Sequence, residues 1–360
     1  MTIETNLSQK SVVGIAKTTP SSVLKDYSDL LHSVNYQDHI AKNKKIILKL
    51  NLSWTLYFPA CSTQPWQLEG VLDTLVKDGY TDILAVENKT VVTNPIKGVI
   101  NNKWKSILDK YGVEFVPLNE TEWVEYKPKN KLLVLDKIFQ PIEIPKLFLD
   151  SNVIHLPTLK THGHTTMTGA MKNAFGGLLR EARHHCHKHI HEVLVDLLTI
   201  QKDVLAGLYA VMDGAIYGDG AGPRTMFPKE ANLLLASNDM VSIDSVASKI
   251  MGFDPKSIKK LKLAHEMGLG NSDLNSVQIK GLNHNDINLN CTTSRSPVIY
   301  FDQLFRKSKI EKLLFKTWFF NFCILGFESY HDWFWYPTVG KKRIKEFNKT
   351  SWGKLFEKYD

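Results

Sequence analysis

Cysteine is scarce in this chain of 360 residues, and its four cysteines are far apart. The absence of a CxxC pair argues against a zinc ribbon, a cysteine-ligated iron–sulfur cluster and a disulfide scaffold. A reducing, cytoplasmic location is therefore expected. The N-terminal residues also lack a basic segment followed by a long apolar run, so no secretory signal is predicted.

Several nucleotide and metal motifs are missing as well. The sequence contains no Walker A loop, no GxGxxG fingerprint and no HExxH pair, so nucleotide binding is not supported. The net charge of +8 would suit an anionic partner. However, the lysines are scattered, and no basic DNA-binding motif is present, so nucleic acid is an unlikely partner. With 43% hydrophobic and 23% charged residues, the composition is that of a folded globular protein.

Short apolar runs alternate with segments of helical spacing along most of the chain. The run at 45–52 and the run at 81–88 are predicted to be strands, and the segment 67–80 between them is predicted to be a helix. This alternation predicts an α/β fold with a mostly parallel sheet flanked by helices. We expect one α/β domain over residues 1–296, with a division into two lobes near residue 150 as an alternative.

The last 64 residues differ from the rest and predict a helical C-terminal extension at 297–360. They hold 18 of the 37 aromatic residues, together with twelve lysines and arginines. The apolar segment 313–327 is too short to span a bilayer. Two interpretations remain open. The extension is either an interfacial helix on a membrane surface or a helical wrap that covers the sheet or a dimer partner.

The segment 156–191 is the best candidate for a chemical site, because it holds seven of the thirteen histidines. Imidazole titrates near neutral pH and suits acid–base chemistry. The predicted catalytic residues are Lys160, His162, His184 and His185.

The same segment also carries groups that suit an anion. Lysine supplies a point charge, while hydroxyls and amides give direction to the binding of a phosphate or carboxylate. The alternative is that Lys172 and Asn173 only cap a helix. Other candidate ligands follow predicted strands or lie in the glycine-rich segment 213–224, where parallel strands of an α/β sheet would open a common crevice. The predicted substrate-binding residues are Lys49, Asn51, Lys172, Asn173, Gly220, Gly222 and Arg224.

A divalent metal site is a further hypothesis. In a helix, His185 and His189 would lie four residues apart on one face, as would His187 and His191, and Asp213 ends a predicted strand. The predicted metal ligands are therefore His185, His189 and Asp213. The alternative is a solvated histidine surface. We expect Asp239 and Asp244 to be a helix cap and a buried partner.

These patterns resemble the domain of unknown function 362 family over about residues 12–282. The segments LPTLKTHGH and MKNAFG carry the resemblance most strongly, together with VMDGAIYGDGAGPR. The resemblance implies an α/β domain but no settled reaction. Many members carry ferredoxin-like cysteine motifs, which this chain lacks. The family's characteristic positions correspond to Lys49, Asn51, Lys160, His162, Lys172, Asn173, Asp213 and Asp244.

The sequence thus leads to two functional hypotheses. The first is an enzyme that binds a small anionic metabolite, with lysine and histidine acid–base groups and a divalent metal as an optional cofactor. The second is a non-catalytic binding or redox accessory protein. In that case residues 297–360 would hold it at a membrane surface or form a homodimer.

Overall fold

A computed structural model describes residues 11–180, 183–306, 308, 314–315 and 317–360, and for His184 it describes only the backbone. The chain forms one large mixed sheet with helices packed on both sides. Most neighbouring strands are parallel, and the antiparallel pairs of the large sheet involve β8 with β9 and β11 with its two neighbours. The predicted α/β fold class is therefore confirmed.

The large sheet has the order β12-β1-β11-β10-β7-β2-β3-β4, with β8 and β9 attached at β10, while β5 and β6 form a separate pair. The strands are β1 (Val12–Lys17), β2 (Ile46–Lys49), β3 (Ile83–Glu87), β4 (Glu114–Pro117), β5 (Trp123–Tyr126), β6 (Ile142–Pro145), β7 (Asn152–His155), β8 (Thr158–His162), β9 (Thr166–Met167), β10 (Gly207–Ala221), β11 (Thr225–Ser237) and β12 (Gln278–Gly281).

The α-helices connect these strands and form the C-terminal extension. They are α1 (Val23–Ser33), α2 (Pro65–Lys77), α3 (Pro95–Asn101), α4 (Lys105–Tyr111), α5 (Leu135–Ile138), α6 (Gly169–Asn173), α7 (Ile190–Val204), α8 (Met240–Ile250), α9 (Lys259–Glu266), α10 (Pro297–Arg306), α11 (Phe320–Glu328), α12 (Lys341–Phe347) and α13 (Ser351–Glu357).

Local sequence explains where several of these elements begin and end. Every residue of β2 is buried, as expected for a continuous apolar run in a parallel strand. Gly112 ends α4 with a φ of 64°, a left-handed conformation that glycine adopts without steric penalty. Asp239 caps α8 by accepting hydrogen bonds from the backbone N–H groups of Val241 and Ser242. The predicted cap at Asp239 is thus confirmed.

One predicted loop is instead largely a strand. The glycine-rich segment 213–224 continues β10 as far as Ala221 and pairs with β11 in a long hairpin. Only residues 222–224 form the turn. Gly218, within β10, lets Met226 pack closely, because a Cβ atom would lie 2.3 Å from the sulfur of Met226 and that side chain would have to move. The alternating small residues of this segment serve close packing between strands, a pattern that reads like a loop in sequence.

The C-terminal extension packs against the α/β domain. The ring of Trp352 is fully buried and lies 4.9 Å from that of Trp66, measured between centroids. Trp335, in the π-helical segment Ser329–Gly340, lies 6.0 Å from Trp54. These rings belong to the same apolar core as β2 and α2. Among the helices that are described, none combines the length and the apolar character needed to cross a membrane.

Candidate functional site

A cavity of about 680 Å³ lies at the carboxyl ends of the parallel strands. Lys49, Glu87 and His162, the last residues of β2, β3 and β8, all line it. Arg224, in the β10–β11 turn, lines the same cavity. The segments around His162 and Arg224 thus share a pocket, which is the arrangement that the sequence predicts for an open α/β sheet.

Part of the cavity floor is a closed network of hydrogen bonds around Glu87. The ammonium of Lys49 donates to Glu87 Oε2 at 2.8 Å, and the backbone N–H of Leu52 donates to the same oxygen at 2.8 Å. Both side chains are almost fully buried. Burial lowers the pKa of Lys49, which the Glu87 carboxylate opposes. Because these charges neutralise each other, we assign Lys49 to holding the floor together.

Lys160 lies behind the wall of the cavity. Its ammonium donates to Asn51 Oδ1, to the carbonyl of Cys61 at 2.9 Å and to Thr158 Oγ1 at 2.7 Å. These three acceptors use all three of its N–H groups, and the residue is fully buried. We therefore revise its predicted catalytic role to a positioning role. Asn51 in turn donates to Asn173 Oδ1 at 3.2 Å, and both amides line the cavity.

Lys172 is the cavity-lining lysine whose ammonium has no charged partner. No hydrogen bond or ion pair joins its Nζ to another of the described residues, and its nearest ring contact is Phe175, 5.6 Å from Nζ to centroid. Burial lowers the pKa of Lys172 to about 7, and repulsion from the cations of Lys160, Lys260 and Arg183 adds to that effect. The group is thus a cation that can release its proton near neutral pH.

Two further lining groups are buried without a full set of partners. Arg224 is 5% exposed, and its Nε donates to the carbonyl of Ser53 at 2.8 Å. Its Nη1 has no hydrogen-bond partner among the described residues, and its guanidinium lies 4.7 Å from the ring centroid of Phe327. The hydroxyl of Thr168, which is 2% exposed, also has no hydrogen-bond partner among the described residues. Buried polar atoms in native proteins nearly always have partners, so these two groups are available to hydrogen-bond a ligand or water in the cavity.

His162 is held as a neutral imidazole with a defined tautomer. The backbone N–H of His164 donates to its Nδ1 at 3.1 Å, so the proton of the neutral ring is on Nε2. Burial lowers the pKa of His162 well below its usual value, and the cation of Lys172 lowers it further. His162 is therefore a hydrogen-bond donor at neutral pH, and it is a weak base.

Other residues around Phe175 complete this part of the site. His187 lines the cavity, with its ring 5.6 Å from Phe175 and 5.4 Å from His164. Arg183 also lines the cavity and lies 5.7 Å from the same Phe175 ring. Sequence reasoning did not select Phe175 or His164. The many histidines near them in sequence indicated a site in this segment, but they did not indicate which rings face the cavity.

The predicted metal site is not confirmed. Residues Arg183–His189 form a 3₁₀-helix, in which residues three apart align, so His185 and His189 do not share a face as they would in an α-helix. Over the described ranges, no three histidine, cysteine, aspartate or glutamate side chains converge as a metal would require. The side chain of His184, a predicted catalytic group, lies outside the described part of the chain.

Asp213 has a structural environment away from the cavity. Tyr27 OH and Trp66 Nε1 donate to its Oδ2 at 2.6 and 2.8 Å. Burial raises the pKa of Asp213 to about 6, against these hydrogen bonds. Asp244, also fully buried, pairs with Lys260 at 3.0 Å, so the predicted buried partner is confirmed.

The two predicted glycine ligands shape the turn that carries Arg224. Gly220 accepts a hydrogen bond from Thr161 Oγ1 at 3.0 Å through its carbonyl. At Gly222 a Cβ atom would lie 1.8 Å from the carbonyl oxygen of Thr161. Neither glycine lines the cavity. We therefore revise their predicted role: they do not contact a ligand, and they allow the end of β10 and the following turn to approach β8 closely.

Comparisons with known proteins match part of the chain. The model of one protein family, described as a domain of unknown function (DUF362), matches residues 46–249, more than half of the chain. A thylakoid-associated protein from Synechocystis sp. is 30% identical over 135 residues, which are 36% of this chain and 42% of that protein. The chain thus aligns with less than half of that relative's length. No solved structure matches.

Proposed function

We propose that this chain, which belongs to the domain of unknown function 362 family, binds a small anionic metabolite in the cavity at the carboxyl ends of β2, β3 and β8. The observation that supports this proposal is that one cavity holds two cations with free hydrogen-bonding capacity, Lys172 without a charged partner and Arg224 with an unpaired Nη1. A cation that is buried, as Arg224 is, or partly buried, as Lys172 is, is unfavourable unless it is paired, so an anionic ligand would stabilise both.

The proposed chemistry is proton transfer on the bound metabolite. Lys172 is the preferred acid–base group, because its pKa of about 7 lets it exist in both protonation states near neutral pH. His162 would donate a hydrogen bond from Nε2 to an oxygen of the metabolite. The hydroxyl of Thr168 would be a second hydrogen-bonding group for the anion.

Isothermal titration with sulfate, inorganic phosphate and acetate tests this proposal. We expect measurable affinity in the natural protein and a loss of about tenfold or more in Lys172→Met, as for a charge-assisted hydrogen bond. Lys256→Met is the matched control, because Lys256 is exposed and does not line the cavity. Equal anion affinity in all three proteins would contradict the proposal.

Peripheral binding to a membrane surface is a second candidate. It is favoured by nine large apolar side chains of the extension that are more than one third exposed. The similarity to a thylakoid-associated protein and the net charge of +8 agree with attraction to an anionic bilayer. The nine residues are Tyr300, Phe301, Leu304, Trp318, Phe319, Phe322, Leu325, Trp333 and Phe334, and together we call them the exposed apolar set.

Vesicle sedimentation tests this second candidate. With vesicles of phosphatidylcholine and phosphatidylglycerol in equal parts, we expect the natural protein to sediment and the double variant Trp318→Ser, Trp333→Ser to lose several-fold in bound fraction. Ile100→Ser is the control, because Ile100 is 63% exposed but lies on α3 of the α/β domain. An equal loss in the control, or none in the double variant, would contradict membrane binding.

A further inference from the structure

The cavity has an aromatic and aliphatic side that a small anion does not explain. Helix α11 presents Phe320, Cys323, Ile324 and Phe327 to the cavity. These positions follow the i, i+3, i+4, i+7 spacing of a single helix face. Phe322 and Leu325 are on the other side of α11 and are 58% and 48% exposed. The helix is therefore apolar on both faces, one of which lines the interior of the site.

Helix α10 continues the same wall. Phe301 and Phe305, four residues apart, line the cavity together with Phe315. The charges on this side neutralise each other, since Arg306 Nε lies 2.9 Å from Asp302 Oδ2 and its guanidinium lies 4.1 Å from the ring centroid of Phe315. The wall formed by α10 and α11 thus offers apolar contact and paired charges, in contrast to Lys172.

The size of the cavity agrees with a ligand larger than a simple anion. Its volume of about 680 Å³ lies within the range of pockets that hold drug-sized molecules. An anion bound at Lys172 alone would leave the aromatic wall in contact with water, and the gain from burying that apolar surface would be lost. Phe301 both lines the cavity and is 51% exposed, so the cavity reaches the surface beside the exposed apolar set.

We propose that the ligand of this site is an amphiphile, with an anionic head group at Lys172 and the unpaired Nη1 of Arg224 and an aliphatic tail along α10 and α11. This inference rests on the proposed anion-binding function and specifies its substrate class. The tail is held by dispersion and hydrophobic contact, so it requires length and flexibility and no specific hydrogen bonds.

Titration with a series of alkyl phosphates, each below its critical micelle concentration, tests the inference. Inorganic phosphate, butyl phosphate, hexyl phosphate and octyl phosphate share one head group and differ in tail length. We expect affinity to rise with each added methylene by up to about fourfold, the factor for complete burial of that group. An affinity that does not change with chain length would overturn the inference.

A pair of neighbouring substitutions locates the tail. Ile324 lines the cavity, whereas Leu325 faces outward on the same helix. Ile324→Asn is expected to reduce the gain per methylene while leaving inorganic phosphate affinity unchanged, and Leu325→Asn is expected to preserve both. Equal chain-length dependence in the two variants would overturn the placement of the tail. Their melting curves show whether either variant is unfolded, and the alkyl series on the natural protein does not depend on them.

The outcomes separate this inference from the proposed anion site. If phosphate binds and requires Lys172 but octyl phosphate binds no more tightly, the anion site is retained and the amphiphile is rejected. If octanol binds as tightly as octyl phosphate and Lys172→Met changes neither, the cavity does not recognise the anion. That result would overturn both proposals.

Discussion

At the scale of single residues, the environment of Lys172 sets the pH dependence of anion binding. Burial lowers the pKa of Lys172 from 10.5 to about 7, so the ammonium is charged below that pH and neutral above it. The rings of His162 and His164 stay neutral in this range, since burial depresses the pKa of both, that of His164 to about 4. Burial also lowers the pKa of Lys160, behind the cavity wall, to about 8. Lys172, with a pKa of about 7, is therefore the cavity-lining group expected to titrate first as pH rises.

We predict that sulfate affinity falls as pH rises through about 7, and that Lys172→Met removes this dependence. Sulfate is the appropriate probe because its own charge is constant near neutral pH. Calorimetric titration between about pH 6 and about pH 8 measures the effect. The control variant Lys256→Met should keep the profile of the natural protein. A pH dependence that survives in Lys172→Met would assign the titration to another group.

For Asp213 we predict an effect on stability and not on binding, because it accepts hydrogen bonds from buried donors and does not line the cavity. Asp213→Ala leaves Tyr27 OH and Trp66 Nε1 without an acceptor, and we expect it to lower the free energy of unfolding by about 2–4 kcal/mol. Asp213→Asn keeps an acceptor oxygen and should lose much less. Urea unfolding measures both. A bound metal that disappears in Asp213→Asn, with stability unchanged, would restore the metal hypothesis.

The sequence identified much of the candidate site at this scale. Lys49 and Asn51 were selected from their places at the end of a strand, Lys172 and Asn173 from the segment 156–191, and Arg224 from the glycine-rich segment. All five line the cavity. The sequence alone could not show that Lys160, unlike these residues, lies behind the cavity wall. Its different position depends on the carbonyl of Cys61 and on Asn51, which cover it from a loop about 100 residues earlier in the chain.

At the scale of elements, we predict opposite effects on stability for alanine substitutions at two glycines, Gly222 and Gly326. Gly222→Ala would bring a Cβ atom to 1.8 Å from a backbone oxygen of β8, so the turn that carries Arg224 must move. We expect a loss of about 1–3 kcal/mol in unfolding free energy and weaker sulfate binding. Gly326→Ala on α11 meets nothing within 4 Å, and a gain of about 0.5–1 kcal/mol is expected. Equal effects on stability and binding would contradict this view of the turn.

Element types were predictable where one local signal dominated. Gly112 ends α4 because its backbone adopts a left-handed conformation, and Asp239 begins α8 because its side chain caps the helix. The segment 213–224 was predicted as a loop because glycine is typical of turns, but tertiary packing against Met226 selected the same small residues for a strand. The 3₁₀-helix at Arg183–His189 was missed because histidine spacing does not distinguish a 3₁₀-helix from an α-helix.

At the scale of the whole molecule, the extension belongs to the core through part of its length. Trp352 is fully buried against Trp66, whereas Trp333 is 67% exposed. Trp352→Ala is expected to lower the free energy of unfolding by about 3–5 kcal/mol, and Trp333→Ala by less than about 1 kcal/mol. Urea unfolding of both variants provides the comparison. A small effect of Trp352→Ala would mean that the extension is separate from the α/β domain.

The composition of the extension showed that it is rich in aromatic residues, but it did not show which of them are buried. The aromatic residues of 297–360 divide between the core, the cavity wall and the surface. That division arises from contacts with β2, α2 and the β10–β11 turn, which no local pattern encodes. The cavity is therefore the part of the molecule that sequence alone predicted least completely, because more than a third of its lining residues come from this extension.

A crystal structure of the protein soaked in selenate tests the central claim most directly. Selenate has the charge and shape of sulfate, and its anomalous scattering identifies it without ambiguity. The account predicts an anomalous peak inside the cavity within hydrogen-bond distance of Lys172 Nζ, and its disappearance in Lys172→Met crystals. A natural-protein crystal with selenate only on the surface and an empty cavity would contradict the proposed anion site.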